Sequence, residues 1–224
     1  MPPPTALIIP AVTKHTATVI MAHGLGDSGA GWASLAENWR RRQKFQEVKF
    51  IFPNAPNIPI SVTTFNDLQA AQDEVGILRS QAYFHSLIKS EVEDSRIDSK
   101  RIVIGGFSQG GAMSIFSGIT SPSPLGGIFG MSCYLLLHNK LKEFLGESGG
   151  FNKQTKIWMG HGDADPLVRP EWGRKTAEVL REEGFDVELK MYPGLEHSAD
   201  VLEIEDLERY LNARIPPVGD KQSL

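Results

Sequence analysis

Six times along this chain a short apolar run, rich in β-branched or aromatic residues, gives way to a polar turn and then to a longer stretch of helical period. The runs are "TVIMAH" (18–23), "KFIFPN" (49–54), "RIVIGGF" (101–107), "GGIFGMSCY" (126–134), "KIWMGH" (156–161) and "DVELKMYPG" (186–194). Helical segments are expected at 30–43, 66–94, 109–118, 138–145, 171–184 and 201–213. In the longest of them Ile77, Phe84, Leu87 and Ile88 share one face, while Arg79, Lys89 and Glu93 point elsewhere. Strands that alternate with helices cannot pair as hairpins. They form a mostly parallel sheet with helices on both faces. No linker, repeat or low-complexity tract interrupts the pattern, so residues 1–224 read as a single α/β domain with its core at about 17–213 and frayed, Pro-rich termini.

A parallel sheet presents its functional groups on the loops that leave the carboxyl ends of its strands. Those loops are "HGLGDSG" (23–29), "PNAPN" (53–57), "GFSQGG" (106–111), "SCYLLL" (132–137), "HGDADP" (161–166) and "GLEHSAD" (194–200). The strongest is Gly106-Phe107-Ser108-Gln109-Gly110, a G-x-S-x-G sequence between a strand and a run of small residues. A sharp strand-to-helix turn can hold a serine there with its hydroxyl at the top of the sheet, and bulky neighbours would clash. The helix that follows aims amide groups and partial positive charge at a developing oxyanion. Ser108 is therefore the expected nucleophile.

A serine nucleophile needs a base, and the base needs a carboxylate to orient it. With this elbow the partners follow in the order acid, then histidine. Only His138, His161 and His197 lie after Ser108. His138 begins a helix and reads as a surface residue, and His161 precedes both aspartates of its own loop. His197 satisfies the order and is the expected base. For the carboxylate, "HGDADP" offers Asp163 and Asp165. Asp165 is preferred because the proline after it biases its backbone to an extended form. Asp163 suits a turn-capping role.

The turn at 23–29 also contains Gly24-Leu25-Gly26-Asp27-Ser28-Gly29, which matches the G-x-G-x-x-G of dinucleotide-binding turns. That reading requires an acidic residue at the end of the next strand to bind ribose, and that strand ends in "FIFPNAPN" (50–57). An ester-cleaving serine enzyme instead needs a second backbone N–H from the loop after an early strand. The Leu25 and Gln109 amides are the expected oxyanion donors, and no cofactor is expected. A metal reading of His161, Asp163 and Asp165 lacks a matching ligand cluster elsewhere.

Composition narrows the partners. The net charge of −4 and pI of about 5.9 give no basic footprint for nucleic acid. The one local basic run, "RRRQK" (40–44), reads as a solvated helix end. A single cysteine, Cys133, precludes an intramolecular disulfide and suits a reducing compartment. At an apolar strand end it reads as a packing residue. The N-terminus has no signal-peptide pattern, and the apolar stretch "LGGIFGMSCYLLL" (125–137) is too short to span a bilayer. The expectation is a soluble protein of the cytoplasm, with the nucleus also open to it.

Taken together, "HGLGDSGAGW", "FPNAP", "GGFSQGGAMS", "SCYLLL", "HGDADPLV" and "EHSAD" resemble the acyl-protein thioesterases, also called the lysophospholipase/carboxylesterase family of α/β-hydrolases. The resemblance runs from about residue 17 to residue 213. It implies an α/β-hydrolase fold and a serine hydrolase that removes palmitoyl groups from cysteine thioesters on cytosolic proteins. Activity on lysophospholipids and small carboxylic esters is also implied, and transient contact with a membrane surface is left open. The family's triad falls on Ser108, Asp165 and His197, and its oxyanion amides on Leu25 and Gln109. One departure is visible. After "PNAP" the family carries a loop rich in Gly, Met and Pro that walls the acyl groove, whereas here "IPISV" (58–62) runs straight into "TTFNDLQAAQDEVGILRS" (63–80). Leu135, Leu136 and Leu137 are candidates either for the groove or for the core.

Overall fold

The computed structural model describes residues 5–55 and 72–219. Seven strands form one sheet: β1 (Ala6–Ile9), β2 (Ala17–Ala22), β3 (Val48–Pro53), β4 (Ile102–Phe107), β5 (Gly127–Met131), β6 (Ile157–Gly162) and β7 (Val187–Tyr192). Their spatial order is β1-β3-β2-β4-β5-β6-β7; β1 runs antiparallel to β3 and every other pairing is parallel. The helices are α1 (Gly29–Arg41), α2 (Glu74–Glu93), α3 (Gln109–Ile119), α4 (Leu141–Glu147), α5 (Pro170–Glu182) and α6 (Val201–Arg214).

Each central strand is apolar on both sides because helices cover both sheet faces. Alternation along the strands divides the core into two layers. Ile20, Ile104, Ile128 and Met159 face a layer built with Phe84 and Ile88 of α2, Ile115 and Phe116 of α3, Phe144 of α4 and Leu180 of α5. Val19, Val103, Phe129 and Trp158 face the opposite layer, built with Trp39 of α1 and Leu207 and Leu211 of α6. The expected apolar face of α2 is present, with Phe84 and Ile88 buried and Ile77 and Leu87 packed against the core. The part of that expected helix before residue 72, and the shortened loop after Val62, lie outside the described residues.

Three expectations are corrected. The N-terminal segment is not wholly frayed: Ala6–Ile9 pairs with β3 from Ala6↔Pro53 to Ile9↔Phe50. Its signal was weak because an edge strand buries little, and Ile8 stays exposed. Arg40 is not simply a solvated helix end, since its guanidinium donates to the carbonyls of Ile9, Pro10 and Val48 and so ties β1 to β3. The fifth strand stops at Met131 rather than Tyr134, because Ser132 turns the chain with φ of 45°. Beyond that turn Leu135, Leu136 and Leu137 are all buried in the core. Cys133 is buried as well.

Candidate active site

The sheet order reverses between β2 and β4: after β2 the chain moves outward to β3, then returns to the other side as β4. The loops leaving these two neighbours diverge and leave a crevice at their carboxyl ends. Ser108 follows β4 there, and the 23–28 turn follows β2.

Ser108 caps α3 with φ of 54° and ψ of −123°, a strained backbone for a residue with a Cβ. Two glycines make the turn feasible. A methyl group on Gly106 would stand 2.5 Å from the Ala22 carbonyl oxygen, and one on Gly110 would stand 2.4 Å from that of His23. The Ser108 N–H donates to the Met131 carbonyl at 2.8 Å, which anchors the turn to the end of β5.

The loops after β6 and β7 are laced to each other. The Asp163 carboxylate accepts from the Gly194 N–H at 2.6 Å, and the Ala164 N–H donates to Leu195 O at 3.1 Å. Asp163 thus serves a turn, as expected, and the lacing carries Asp165 and His197 toward each other. His197 Nδ1 lies 2.8 Å from Asp165 Oδ2, and its Nε2 lies 2.9 Å from Ser108 Oγ. A carboxylate only accepts, so Nδ1 carries the proton and Nε2 accepts from the serine hydroxyl. Asp165 Oδ1 accepts from the Leu167 and Val168 amides, both at 2.9 Å. Burial alone would raise the Asp165 carboxyl; the His197 bond, then the two amide bonds, outweigh it and hold the group below the usual range.

The 23–28 turn stands against Ser108, for a methyl group on Gly24 would meet Ser108 Cβ at 3.3 Å. Neither the Leu25 nor the Gln109 backbone N–H has a hydrogen-bond partner among the described residues. His138 lies on the surface at the start of a short 3₁₀ turn.

Several residues at the site were not singled out in the sequence. His23 donates from Nδ1 to the Gly24 carbonyl at 2.7 Å and accepts at Nε2 from the Ala55 N–H at 3.1 Å, which braces the turn against the end of β3. His161, set aside as a base, is fully buried and donates from Nε2 to the Val168 carbonyl at 2.8 Å. It lies 3.8 Å from Asp165 Oδ2. Burial lowers its pKa, against the opposing pull of that carbonyl and of Asp165, so it acts as a neutral brace for the Asp165 loop. The only sequence signal was that both histidines precede a strand-end glycine in an "HG" pair. Glu203 of α6 gave no signal at all. It is fully buried, and neither carboxyl oxygen has a hydrogen-bond partner among the described residues. No group of three or more His, Cys, Asp or Glu side chains among the described residues forms a metal-binding set.

Comparisons with known proteins agree with this architecture. The Phospholipase/Carboxylesterase family matches residues 4–215. The chain is similar to "Acyl-protein thioesterase 1" of Emericella nidulans, with 53% identity covering 93% of this chain and 95% of that one. It is 50% identical to the protein of the same name from Neurospora crassa, covering 96% of this chain and 94% of that one. The crystal structure of Zea mays acyl-protein thioesterase 2 superposes with a TM-score of 0.79 over 95% of this chain and 99% of that one; at 24% identity the likeness concerns the fold. The Emericella alignment runs over 228 residues, more than this 224-residue chain contains, so a stretch of that relative has no counterpart in the present sequence. The chain belongs to the phospholipase/carboxylesterase family of α/β-hydrolases, among the acyl-protein thioesterases.

Proposed function

We propose that this protein is a serine hydrolase that cleaves long-chain acyl thioesters, removing palmitoyl groups from S-acylated cysteines of cytosolic proteins, with side activity on lysophospholipids and carboxylic esters. The observation that carries the reading is the unbroken hydrogen-bond chain Ser108–His197–Asp165, with separations of 2.9 Å and 2.8 Å. In the first half-reaction His197 Nε2 takes the Ser108 proton as Oγ attacks the thioester carbonyl carbon. The tetrahedral oxyanion is held by the Leu25 and Gln109 amides, each such donor being worth about 10²–10³ in kcat. The C–S bond then breaks, and the cysteine sulfur leaves as a thiol with the proton from His197. In the second half-reaction a water gives its proton to His197 and attacks the acyl-serine. The fatty acid leaves, and Ser108 regains its proton.

Among the described residues no helix is long and apolar enough to cross a membrane. A cytoplasmic site of action fits the lone cysteine and the acylated-protein substrates, and the membrane surface is met through those substrates. The test is labelling by a fluorophosphonate together with turnover of a palmitoyl-cysteine peptide. Ser108→Ala should abolish both, and labelling at another residue would show that the nucleophile lies elsewhere.

A second reading, a carboxylesterase for short soluble esters, is favoured by one observation: the family's groove-walling loop is missing from the sequence after Val62. A complete groove gains about 0.8 kcal/mol per buried methylene, roughly fourfold in kcat/KM. A shallow rise of kcat/KM from p-nitrophenyl acetate to a medium-chain ester would support it. A steep rise supports the long-chain thioesterase.

A further inference from the structure

The elbow motif assigns no task to the residue just before its serine. In this protein that residue is Phe107, and its ring touches both halves of the site. Its centroid lies 4.9 Å from that of the His197 imidazole, with the planes inclined at 45°. On another side it meets Trp32 of α1 at 5.5 Å. Its Cδ1 would stand 3.3 Å from a methyl group on Gly24, so the same ring also backs the oxyanion turn.

We propose that Phe107 is a positioning residue for the hydrolysis, one that fixes the plane of His197 and stabilises the imidazolium it becomes. This rests on the reading of Ser108, His197 and Asp165 as a triad. In each half-reaction His197 Nε2 gains a proton before it returns one, so the ring passes through a cationic state. Asp165 answers that charge along one edge, at Nδ1. The electron-rich face of an aromatic ring within about 6 Å attracts a cation, and the attraction grows when water is excluded. Phe107 lies within that range and is itself partly buried, with Trp32 packed against it. Because the contact favours the cation more than the neutral ring, it acts on the chemical step rather than on substrate binding. Among the described residues Asp165 meets His197 at Nδ1 and His161 feels the charge of the same imidazole, while Glu203, at the start of α6, faces Asp165 and Asp200.

The experiment is the pH profile of kcat/KM for p-nitrophenyl butyrate, measured on the full chain carrying Phe107→Leu, Phe107→Trp or pentafluorophenylalanine at position 107. The fluorinated ring keeps the shape of phenylalanine but reverses the charge on its face, so it remains informative if Phe107→Leu does not fold. With it, kcat should fall about threefold to thirtyfold, KM should stay within about twofold, and the acid limb should move to lower pH by about half a unit. Phe107→Trp keeps an electron-rich face and should keep the acid limb in place. An acid limb unmoved by the fluorinated ring would overturn the proposal, whether or not kcat fell, because packing alone does not depend on the sign of that charge. Fluorophosphonate labelling of the unmodified chain separates the two readings. If Ser108 is not labelled, the triad assignment is wrong; if it is labelled and the limb is unmoved, only the role of Phe107 is wrong.

Discussion

Asp165 and Glu203 are both buried carboxyl groups at the same end of the sheet, and their surroundings drive them to opposite protonation states. Asp165 receives three hydrogen bonds, from His197 and from the Leu167 and Val168 amides, and is held below its ordinary pKa. Glu203 receives none among the described residues. Its Oε1 lies so close to Gly160 of β6 that a methyl group there would be 2.3 Å away. Burial first, then the nearby charges of Asp200, Asp206 and Asp165, push it up to about 8. Burial alone therefore does not decide a charge; the donors that burial brings with it do. Asp165 stays ionised and can answer the imidazolium, whereas Glu203 sits beside the same loop as a neutral acid at pH 7.

The largest expected effect comes from removing the charge that is well served. Asp165→Asn should lower kcat by about 10⁴, because an amide at that position favours the wrong imidazole tautomer. Asp163→Asn keeps an oxygen for the Gly194 amide and should cost about tenfold or less. Steady-state kinetics on the two variants compares them directly, and the reverse order would mean that Asp163 orients the base.

The second prediction concerns stability, and its sign differs between the two carboxyls. Glu203 has its folded pKa raised above its unfolded value, so between pH 4.5 and about 8 the folded chain holds a proton that the unfolded chain has lost. Stability falls with rising pH across that window, and the cost, a few kcal/mol, is complete above about pH 8. Glu203→Gln removes this dependence. Its stability relative to the unmodified protein should grow from pH 5 to pH 8 in urea unfolding, whatever fixed offset the amide introduces. Asp165 works the other way: its lowered pKa contributes stability above its unfolded value, which is lost as the pH falls through the folded one. Parallel curves for Glu203→Gln and the unmodified chain would mean that Glu203 finds a partner and is ionised.

The smallest effect is expected at Cys133, beside this region. Burial, followed by the charge of Glu203, keeps its thiol well above the usual range. Cys133→Ser should change kcat/KM by less than about threefold, and the native thiol should resist iodoacetamide at pH 7. A total loss of turnover would indicate cysteine chemistry.

The legible part of the site was the part whose chemistry demands a particular order. A G-x-S-x-G turn between strand and helix singles out Ser108, and only His197 among the later histidines follows an acidic strand end. The choice between Asp163 and Asp165 was less clear, because both leave the same strand. His23, Phe107 and Glu203 escaped notice because each acts through contacts with segments distant in sequence. His23 reaches Ala55, Phe107 reaches His197, and Glu203 packs on Gly160.

By itself, the sequence determined the layered α/β architecture and the strand ends where the chemistry lies, since hydrophobic period and glycine placement are local properties of the chain. It also singled out Ser108 and His197 as the candidate nucleophile and base, through residue type and order. Tertiary structure decided that Ala6–Ile9 closes the sheet as an edge strand, that Leu135, Leu136 and Leu137 belong to the core, and which buried carboxyl bears a charge. Those outcomes depend on which donors, rings and backbones meet across long separations in the chain, and only the folded packing brings them together.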